Sequence, residues 1–258
     1  MTQKLIFFDI DGTLYDRQHH IPETTHAAIR QLQEAGHTLA IATGRAPYNI
    51  QEVIADTGIT NFVAFNGQYV VYNAEVIYRN PLDVHTLTKL EALAREKDHP
   101  MVFLGEKEAV SNIRHHDHIT ESMGSIKLDH PRFEDEYFKH HDIFQALLFQ
   151  DSETDDVYDD QYPLIKFYRW HEFSRDVVPS NGSKAEGIRK FAEKLGFSQQ
   201  DVIAVGDGNN DFEMIEWAGT GIAMGNAVEG LKQIADFVTT DVEDNGIQNA
   251  FKKLALIE

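Results

Sequence analysis

Short apolar runs alternate with amphipathic stretches over residues 5–65 of the chain. The apolar runs predict strands and the amphipathic stretches predict helices, in the order strand Leu5–Phe8, helix 21–36, strand 37–42, helix 47–55 and strand 62–65. This βαβαβ order is typical of a parallel, doubly wound sheet. Alternating residues at 68–78, around an Asn-Ala pair, then predict a hairpin at the rim of the sheet.

The pattern changes between about residues 81 and 180. Helices and strands are predicted there in the order helix 84–97, strand 101–104, a His-rich polar stretch to residue 118, strand 143–149, an acidic helical segment 152–160 and strand 164–170. These elements predict an inserted α+β domain with an antiparallel sheet.

Strand–helix alternation resumes after the insert, so the first domain is discontinuous. The order is helix 184–195, strand 202–205, a helix, strand 221–224, helix 228–235, strand 237–239 and a closing helix. We therefore predict a core of residues 1–80 and 181–258 and an inserted domain of residues 81–180.

Composition and charge exclude several kinds of site and partner. The 258 residues include no cysteine, which excludes disulfides, thiolate metal ligands and a cysteine nucleophile. No signal peptide or membrane-spanning stretch is apparent, so we expect a cytoplasmic protein with no membrane partner. Acidic residues outnumber basic ones 42 to 23, for a formal charge of −19, so nucleic acid is not an expected partner. Any phosphate site must therefore be positive locally, through a metal, a lysine and backbone amides.

Two carboxylates follow the first strand directly. Residues two apart on a strand point the same way, so Asp9 and Asp11 emerge together at its carboxyl end, where Gly12 allows a sharp turn. That edge is where open α/β sheets bind ligands. Two close like charges cost about 4 kcal/mol at an intermediate dielectric, so the pair implies a cation, a shared proton or a reacting group. The alternative is a strand that ends in a solvated acidic turn.

Other polar residues lie at strand ends or helix starts on what should be the same edge of this sheet. They are Thr13, Thr43, Gly44, Lys184, Asp207, Asn210 and Asp211. Taken alone, Lys184 would be a solvated helix residue and Thr43 a strand-end hydroxyl. The run GDGNND at residues 206–211 is also compatible with a calcium loop, but it lacks the closing Glu of an EF-hand and follows a strand. The agreement of all these positions favours one site.

These motifs resemble those of the haloacid dehalogenase-like (HAD) phosphatase superfamily. The chain has DxDGT, a strand-end Thr, a helix-start Lys and GDGNND in that order. The position of the insert, the Phe65–Gly67 element and residues 221–227 resemble the Cof-type branch, which has a C2 cap. The resemblance implies an α/β fold with a Rossmann-like, doubly wound, mostly parallel sheet and an inserted α+β C2-type cap.

The resemblance also implies a catalytic pair and a metal site. Asp9 would be the nucleophile that accepts the phosphoryl group, and Asp11 the general acid and then base. The P-type ATPases of the superfamily lack an Asp at this second position, so its presence favours rapid hydrolysis. Mg²⁺ would be bound by the Asp9 side chain, the Asp11 backbone carbonyl and Asp207.

The remaining roles concern the phosphate group and its surroundings. The groups expected to contact phosphate are the Lys184 ammonium, the Thr43 hydroxyl, the Asn210 side chain and the amides of Ile10 and Gly44. Asp211 would orient Lys184 or the metal-bound waters. Thr13, Arg45 and Asn66 are candidates for a supporting role or for contact with substrate, although Arg45 and Asn66 are equally suited to fixing a loop or the cap hinge.

Thirteen histidines raise the question of a second metal. Five of them lie in two runs of the insert, His-His-Asp-His at residues 115–118 and His-His-Asp at residues 140–142. Adjacent histidines point in different directions on either a strand or a helix, so neither run is preorganised for one ion. We interpret both as solvated surface.

The predicted function is Mg²⁺-dependent hydrolysis of a small phosphorylated metabolite. Sugar phosphates, pyridoxal phosphate, flavin mononucleotide and nucleotides all suit this reading, because the core motifs recognise only phosphate and metal and leave the leaving group to the cap. Two alternatives stay open. One is a phosphotransferase or phosphomutase of the same superfamily, and the other is a binding protein that senses a phosphorylated metabolite.

Overall fold

The computed structural model describes residues 2–159 and 161–258. Its strands are β1 (Leu5–Phe8), β2 (Thr38–Ala42), β3 (Phe62–Ala64), β4 (Tyr69–Tyr72), β5 (Glu75–Arg79), β6 (Met101–Gly105), β7 (Ala109–Ser111), β8 (Arg132–Phe133), β9 (Ile143–Phe149), β10 (Ile165–His171), β11 (Ser174–Pro179), β12 (Val202–Gly206), β13 (Thr220–Ala223) and β14 (Phe237–Val238). Its α-helices are α1 (Glu23–Glu34), α2 (Gln51–Thr57), α3 (Val84–Glu96), α4 (Asp117–Ser125), α5 (Lys184–Leu195), α6 (Phe212–Trp217), α7 (Glu229–Ile234) and α8 (Gly246–Lys253).

These elements form two units. The core unit comprises residues 2–45, 49–78 and 183–258, and the cap unit comprises residues 46–48, 79–159 and 161–182. Each unit has one sheet, with strand order β14-β13-β12-β1-β2-β3-β4-β5 in the core and β10-β11-β9-β6-β7-β8 in the cap.

The core sheet is parallel from β14 to β3 and turns antiparallel at the β3–β4 pair. β1 lies between β2 and β12, with Phe8 opposite Ile41 on one side and Val205 on the other. The chain builds outward from β1 first through β2 and β3, and later through β12, β13 and β14. The carboxyl end of β1 is therefore the point where the winding direction reverses, which is where such sheets bind ligands.

Burial follows from this topology. All four side chains of β1 are fully buried because a central parallel strand is covered on both faces. The predicted doubly wound α/β sheet is confirmed. The predicted hairpin at 68–78 is also present, with β4 and β5 joined at Asn73 and Ala74, both in the left-handed region with φ of 49° and 64°.

The cap unit is an α+β layer. Its sheet is antiparallel apart from the short β7–β8 pair, and its central strand β9 is buried throughout. One face of this sheet packs on α3 through an apolar cluster that includes Leu87, Phe103, Leu148 and Val177.

Several local predictions for the cap and its flanks were incomplete. The helical segment expected at 152–160 is a 3-10 helix at Ser152–Val157, and position 160 lies outside the described residues. α4, which begins at Asp117 near the end of the His-rich stretch, was not predicted, and neither were β7, β8 and β11. The helix predicted at 47–55 is a 3-10 turn, Pro47–Asn49, followed by α2. Within the described residues, no helix is both long and apolar enough to cross a membrane.

Candidate active site

The ends of β1, β2 and β12 bring polar side chains together because these three strands are neighbours in one parallel sheet. Asp9 follows β1, Thr43 follows β2, and Asp207 follows β12. Asp9 is 8% exposed and Thr43 is 2% exposed, so both lie in the floor of the site. The Asp9 amide donates to the carbonyl of Val205 at 3.0 Å, which fixes its backbone to the neighbouring strand.

The turn after β1 depends on Gly12. Its φ of +76° suits glycine, and a Cβ there would lie 2.2 Å from Asp207 Oδ2. The Ile10 carbonyl accepts the amides of Leu14 and Tyr15 at 2.9 and 2.8 Å, which folds the turn back on itself. The buried Thr13 hydroxyl then donates to Asp207 Oδ1 at 3.4 Å. The turn thus brings the first acidic motif against the second.

Lys184 is the first residue of α5 and its side chain is fully buried. Its Nζ lies 2.6 Å from Asp9 Oδ1 and 2.7 Å from Asp211 Oδ1. The start of α5 lies close to the turn after β3, and this approach depends on Gly67, because a Cβ there would lie 1.8 Å from the Ser183 carbonyl oxygen. Burial alone would lower the pKa of Lys184, but the carboxylates of Asp211 and Asp9 outweigh it and hold that pKa above its ordinary value. Lys184 is therefore a fixed positive charge.

Asp211 uses both of its oxygens within the protein. Oδ1 accepts from Lys184, and Oδ2 accepts the amides of Asp207 and Gly208 at 2.9 Å each. A Cβ at Gly206 would lie 2.5 Å from Oδ2, so glycine leaves room for this carboxylate. Asp211 is fully buried and ties Lys184 to the loop after β12. Because both of its oxygens are already hydrogen-bonded, Asp211 is suited to orienting Lys184 and the backbone of the loop after β12.

The carboxylates outnumber the local cations. Burial, partly offset by Lys184, raises the pKa of Asp9 well above its ordinary value, and the charges of Asp211, Asp207 and Asp11 raise it further. Burial and the charge of Asp211 raise the pKa of Asp207 to about 7. One ligand oxygen from each of Asp9, Asp207 and Asp211 lies within 4.8 Å of the others. An all-oxygen set of this kind suits a hard divalent cation, and because both oxygens of Asp211 already accept hydrogen bonds, Asp9 and Asp207 are the candidates for its side-chain ligands.

The loop after β2 carries a second set of polar groups. Thr43 Oγ1 accepts the amide of Arg45 at 3.1 Å, so its own proton can be donated to another acceptor. Asn66 is in the left-handed region, with φ 53° and ψ 38°, and its Oδ1 accepts from Asn210 Nδ2 at 2.9 Å. A Cβ at Gly44 would lie 3.0 Å from that same Asn66 oxygen. The strand-end loops of β2, β3 and β12 therefore meet at the Asn66 side chain.

Asp11 is held apart from the buried cluster. Its side chain is 54% exposed, and its two oxygens accept from Arg45 Nε at 3.0 Å and Nη2 at 2.5 Å. The guanidinium of Arg45 also lies over the Tyr15 ring, 5.9 Å from its centroid. The two carboxylates of the first motif thus have different environments, one buried beside a lysine and one at the surface beside an arginine.

Comparison with known proteins agrees with this geometry. Residues 6–251 match the family model for haloacid dehalogenase-like hydrolases. The chain belongs to this family. It is 46% identical over 258 residues to the Bacillus subtilis (strain 168) protein named "Putative phosphatase YkrA", with 100% of both chains covered.

Two further relatives are named for a substrate. The chain is 28% identical over 289 residues to 5-amino-6-(5-phospho-D-ribitylamino)uracil phosphatase YitU of the same B. subtilis strain, covering 96% of each chain. Among solved structures it is similar to the HAD subclass IIB sugar phosphatase BT4131, with a TM-score of 0.89 and 27% identity over 99% of this chain and 100% of that one. The chain is thus an enzyme, a phosphatase of the HAD superfamily, and the family resemblance seen in its motifs is confirmed.

Five of the residues that the sequence singles out in this HAD phosphatase form one hydrogen-bond network, and Asn210 and Asn66 form a further pair. Hydrogen bonds join Lys184 to Asp9 and Asp211, Asp211 to the backbone of Asp207, Thr13 to Asp207, and Asn210 to Asn66. The two His-rich runs contribute to no group of three or more potential metal ligands among the described residues.

Sequence reasoning missed Asn226 as a site residue. Its side chain donates to the Gly12 carbonyl at 2.7 Å and to Asp207 Oδ2 at 3.3 Å, and it accepts the Val242 amide at 3.0 Å. The sequence gives one usable signal, since Asn226 stands between a glycine and an alanine directly after the apolar run of β13. A polar residue at that strand end belongs to the same edge as Asp9 and Asp207.

Proposed function

We propose that this phosphatase is Mg²⁺-dependent and hydrolyses a small phosphomonoester through an aspartyl-phosphate on Asp9. The observation that carries the proposal is the pairing of the buried Asp9 carboxylate with Lys184, 2.6 Å away, at the point where the sheet reverses its winding. Structural needs alone do not explain a buried lysine between two buried aspartates, because ion pairs of this kind repay their desolvation poorly.

Asp9 would attack the phosphorus atom with one carboxylate oxygen. The bond from phosphorus to the leaving oxygen breaks as the acyl phosphate forms, and water later cleaves the acyl phosphate to release inorganic phosphate. Burial raises the pKa of Asp9, and the positive charge of Lys184 opposes this and favours the ionised form. Lys184 therefore keeps the nucleophile charged and in place.

Asp11 would donate a proton to the leaving oxygen and then accept one from the attacking water. Its exposed position beside Arg45, away from the buried cluster, supports a role in proton transfer rather than in attack. The two aspartates of the motif would thus divide nucleophilic and acid–base work according to their surroundings.

The carboxylates of Asp9 and Asp207 and the backbone carbonyl of Asp11 would hold Mg²⁺. When bound, the ion supplies positive charge that offsets the crowded carboxylates and the phosphate oxygens. The pKa of Asp207 is raised to about 7 because the surrounding protein groups do not neutralise its negative charge. A bound cation would supply the missing positive charge, which supports this assignment.

Lys184 and several neutral donors would hold the phosphate oxygens. The proposed set is the Thr43 hydroxyl, the Asn210 side-chain amide and the backbone amides of Ile10 and Gly44, together with Lys184. The bond between Thr43 Oγ1 and the Arg45 amide supports this role for Thr43, because it leaves the hydroxyl proton available. Asp211, Thr13 and Asn66 would position these groups.

For the substrate we propose a phosphorylated polyol or sugar derivative. This rests on the phosphoribityl and sugar substrates named for YitU and BT4131. We also propose that residues 81–180 act as the cap domain and supply the side chains that select the leaving group, while residues 1–80 and 181–258 carry the chemistry. A cytoplasmic location and the absence of nucleic-acid and membrane partners stay predictions from the sequence.

The test is a panel of phosphorylated metabolites assayed with Mg²⁺ and with chelator, scoring kcat/KM and the identity of the product. We expect Mg²⁺-dependent release of inorganic phosphate that is greatest with sugar or polyol phosphates. Asp9→Asn should fold and lack activity, whereas Asp56→Asn, at an exposed position on α2, should match the unmodified enzyme. A phosphorylated organic product would indicate a phosphotransferase, and full turnover in chelator would overturn the metal requirement.

A further inference from the structure

Asn226 joins three loops at the edge of the proposed metal site. It follows β13, and its three hydrogen bonds reach the turn after β1, the loop after β12 and the 3-10 turn at Val242–Asp244. Its amide nitrogen uses both protons, on the Gly12 carbonyl at 2.7 Å and on Asp207 Oδ2 at 3.3 Å. One side chain therefore holds a carboxylate oxygen of Asp207 and the backbone beside Asp11 at the same time.

The orientation of this amide is fixed by its partners. Its oxygen accepts the Val242 amide at 3.0 Å. A flipped amide would set two N–H donors against each other at Val242 and an oxygen against both the Gly12 carbonyl and the Asp207 carboxylate. Asn is thus the residue whose two ends match this site, with donors toward two acceptors and an acceptor toward one donor.

Glycines make the close approach possible. A Cβ on Gly12 would lie 2.2 Å from Asp207 Oδ2 and 3.1 Å from Asn226 Nδ2, so the turn backbone packs directly on both side chains. A Cβ on Gly225 would lie 2.5 Å from the Asp241 amide nitrogen, so the residue before Asn226 also requires glycine. Gly12 and Gly225 therefore allow the Asn226 side-chain amide to lie within hydrogen-bonding distance of Asp207.

We infer that Asn226 is a positioning residue for the metal, orienting the Asp207 carboxylate and the Asp11–Gly12 backbone for cation binding. The inference rests on the proposed function, in which Asp207 and the Asp11 carbonyl bind Mg²⁺. Partners that hold metal ligands in place typically contribute about 10- to 100-fold in metal affinity. The expected consequence of losing Asn226 is weaker Mg²⁺ binding, with the chemical step retained once the metal is bound.

The experiment measures Mg²⁺ affinity directly on the full chain by titration calorimetry, and turnover as a function of Mg²⁺ concentration. Asn226→Ala should weaken Mg²⁺ binding about 10- to 100-fold, and excess Mg²⁺ should restore most of its turnover. Asn226→Ser, whose side chain is too short to reach both acceptors, should also bind more weakly and provides the same comparison if the alanine variant does not fold.

Asn249→Ala is the matched control. Asn249 also makes two donor bonds, to Thr240 Oγ1 at 2.8 Å and to the Asp244 carbonyl at 3.1 Å, but it lies on α8 and is exposed. Its loss should change stability while leaving Mg²⁺ affinity within about twofold of the unmodified enzyme, since it touches no proposed ligand.

The outcomes separate this inference from the proposed function. Unchanged Mg²⁺ affinity in a folded Asn226 variant would overturn the positioning role, even if turnover fell. A loss of turnover that excess Mg²⁺ does not restore would overturn it as well. If the unmodified enzyme itself bound no Mg²⁺, the metal assignment would fail and the role of Asn226 with it.

Discussion

Replacing Asp207 with asparagine should stabilise the metal-free protein although it removes a proposed metal ligand. Burial, with the charge of Asp211, raises the pKa of Asp207 from an ordinary 3.8 to about 7. A tenfold change in the acid dissociation constant corresponds to about 1.4 kcal/mol. Ionised Asp207 therefore lowers the free energy of unfolding by up to about 4 kcal/mol at alkaline pH. A neutral amide removes that cost but loses some hydrogen bonding, so the expected gain is about 2–4 kcal/mol.

The gain should depend on pH with a defined sign. Because the folded pKa lies above the unfolded one, the stability that the Asp207 proton provides is complete below about pH 4 and is lost as the pH rises through about 7. At about pH 5 the unmodified protein retains most of this stability, so the advantage of Asp207→Asn should shrink to about a third of its value at about pH 8.

The assay is urea unfolding in chelator at both pH values, followed by the same measurement with Mg²⁺. Metal should stabilise the unmodified protein and leave Asp207→Asn unchanged, since ligand binding stabilises only a protein that retains the site. Asp201→Asn is the control, because Lys4 and Ser198 hold the pKa of this half-buried aspartate below its ordinary value, so its loss should be slightly destabilising. A variant no more stable than the unmodified protein at alkaline pH would refute the reasoning.

Three further changes have defined outcomes. Lys184→Met should lower the free energy of unfolding, measured in urea, by about 3–5 kcal/mol, because it leaves Asp9 and Asp211 buried without their cation. The variant should also release no phosphate. Unchanged stability would contradict the buried ion pair. Gly12→Ala should reduce turnover at least about 100-fold, because the added Cβ would lie 2.2 Å from Asp207 Oδ2 and the backbone φ at this position is +76°. Near-normal kinetics would show that the turn is not rigid. Ca²⁺ should inhibit the Mg²⁺ enzyme, since its larger and more flexible coordination misplaces nucleophile and phosphate, and equal rates with both ions would contradict a tightly organised site.

The α/β sheet of the core was predictable because the apolar runs that indicate its strands are local and independent of one another. The buried run of β1 ends directly at Asp9 and Asp11, and strand-end residues of a parallel sheet share one edge. The βαβαβ order was therefore enough to expect Asp9 and Thr43 together, and the strand–helix alternation that resumes after the insert adds Asp207 to the same edge. The hairpin at 68–78 followed in the same way from alternation around an Asn-Ala turn.

Other features depend on contacts between positions far apart in the chain. The pairing of Asp11 with Arg45 and the contact of Asn226 with Gly12 join residues 34 and 214 positions apart, which no local periodicity encodes. α4 was missed because His-rich, polar residues begin it and its buried face includes only Ile119, Ser122 and Met123. The acidic run at Ser152–Val157 has no buried residue. Without a buried face to pack against the rest of the protein, this run forms a 3-10 helix instead of the expected α-helix.

The most direct test of the proposed mechanism is to look for phosphate covalently attached to the protein during turnover. The Mg²⁺ enzyme is quenched in acid during the first turnover with a sugar phosphate, digested, and mapped by mass spectrometry. The mechanism predicts one phosphoryl group on the peptide of the first strand, at Asp9, removed by hydroxylamine as expected for an acyl phosphate and absent from Asp9→Asn. A phosphoryl group on another residue, or turnover by folded Asp9→Asn, would contradict it.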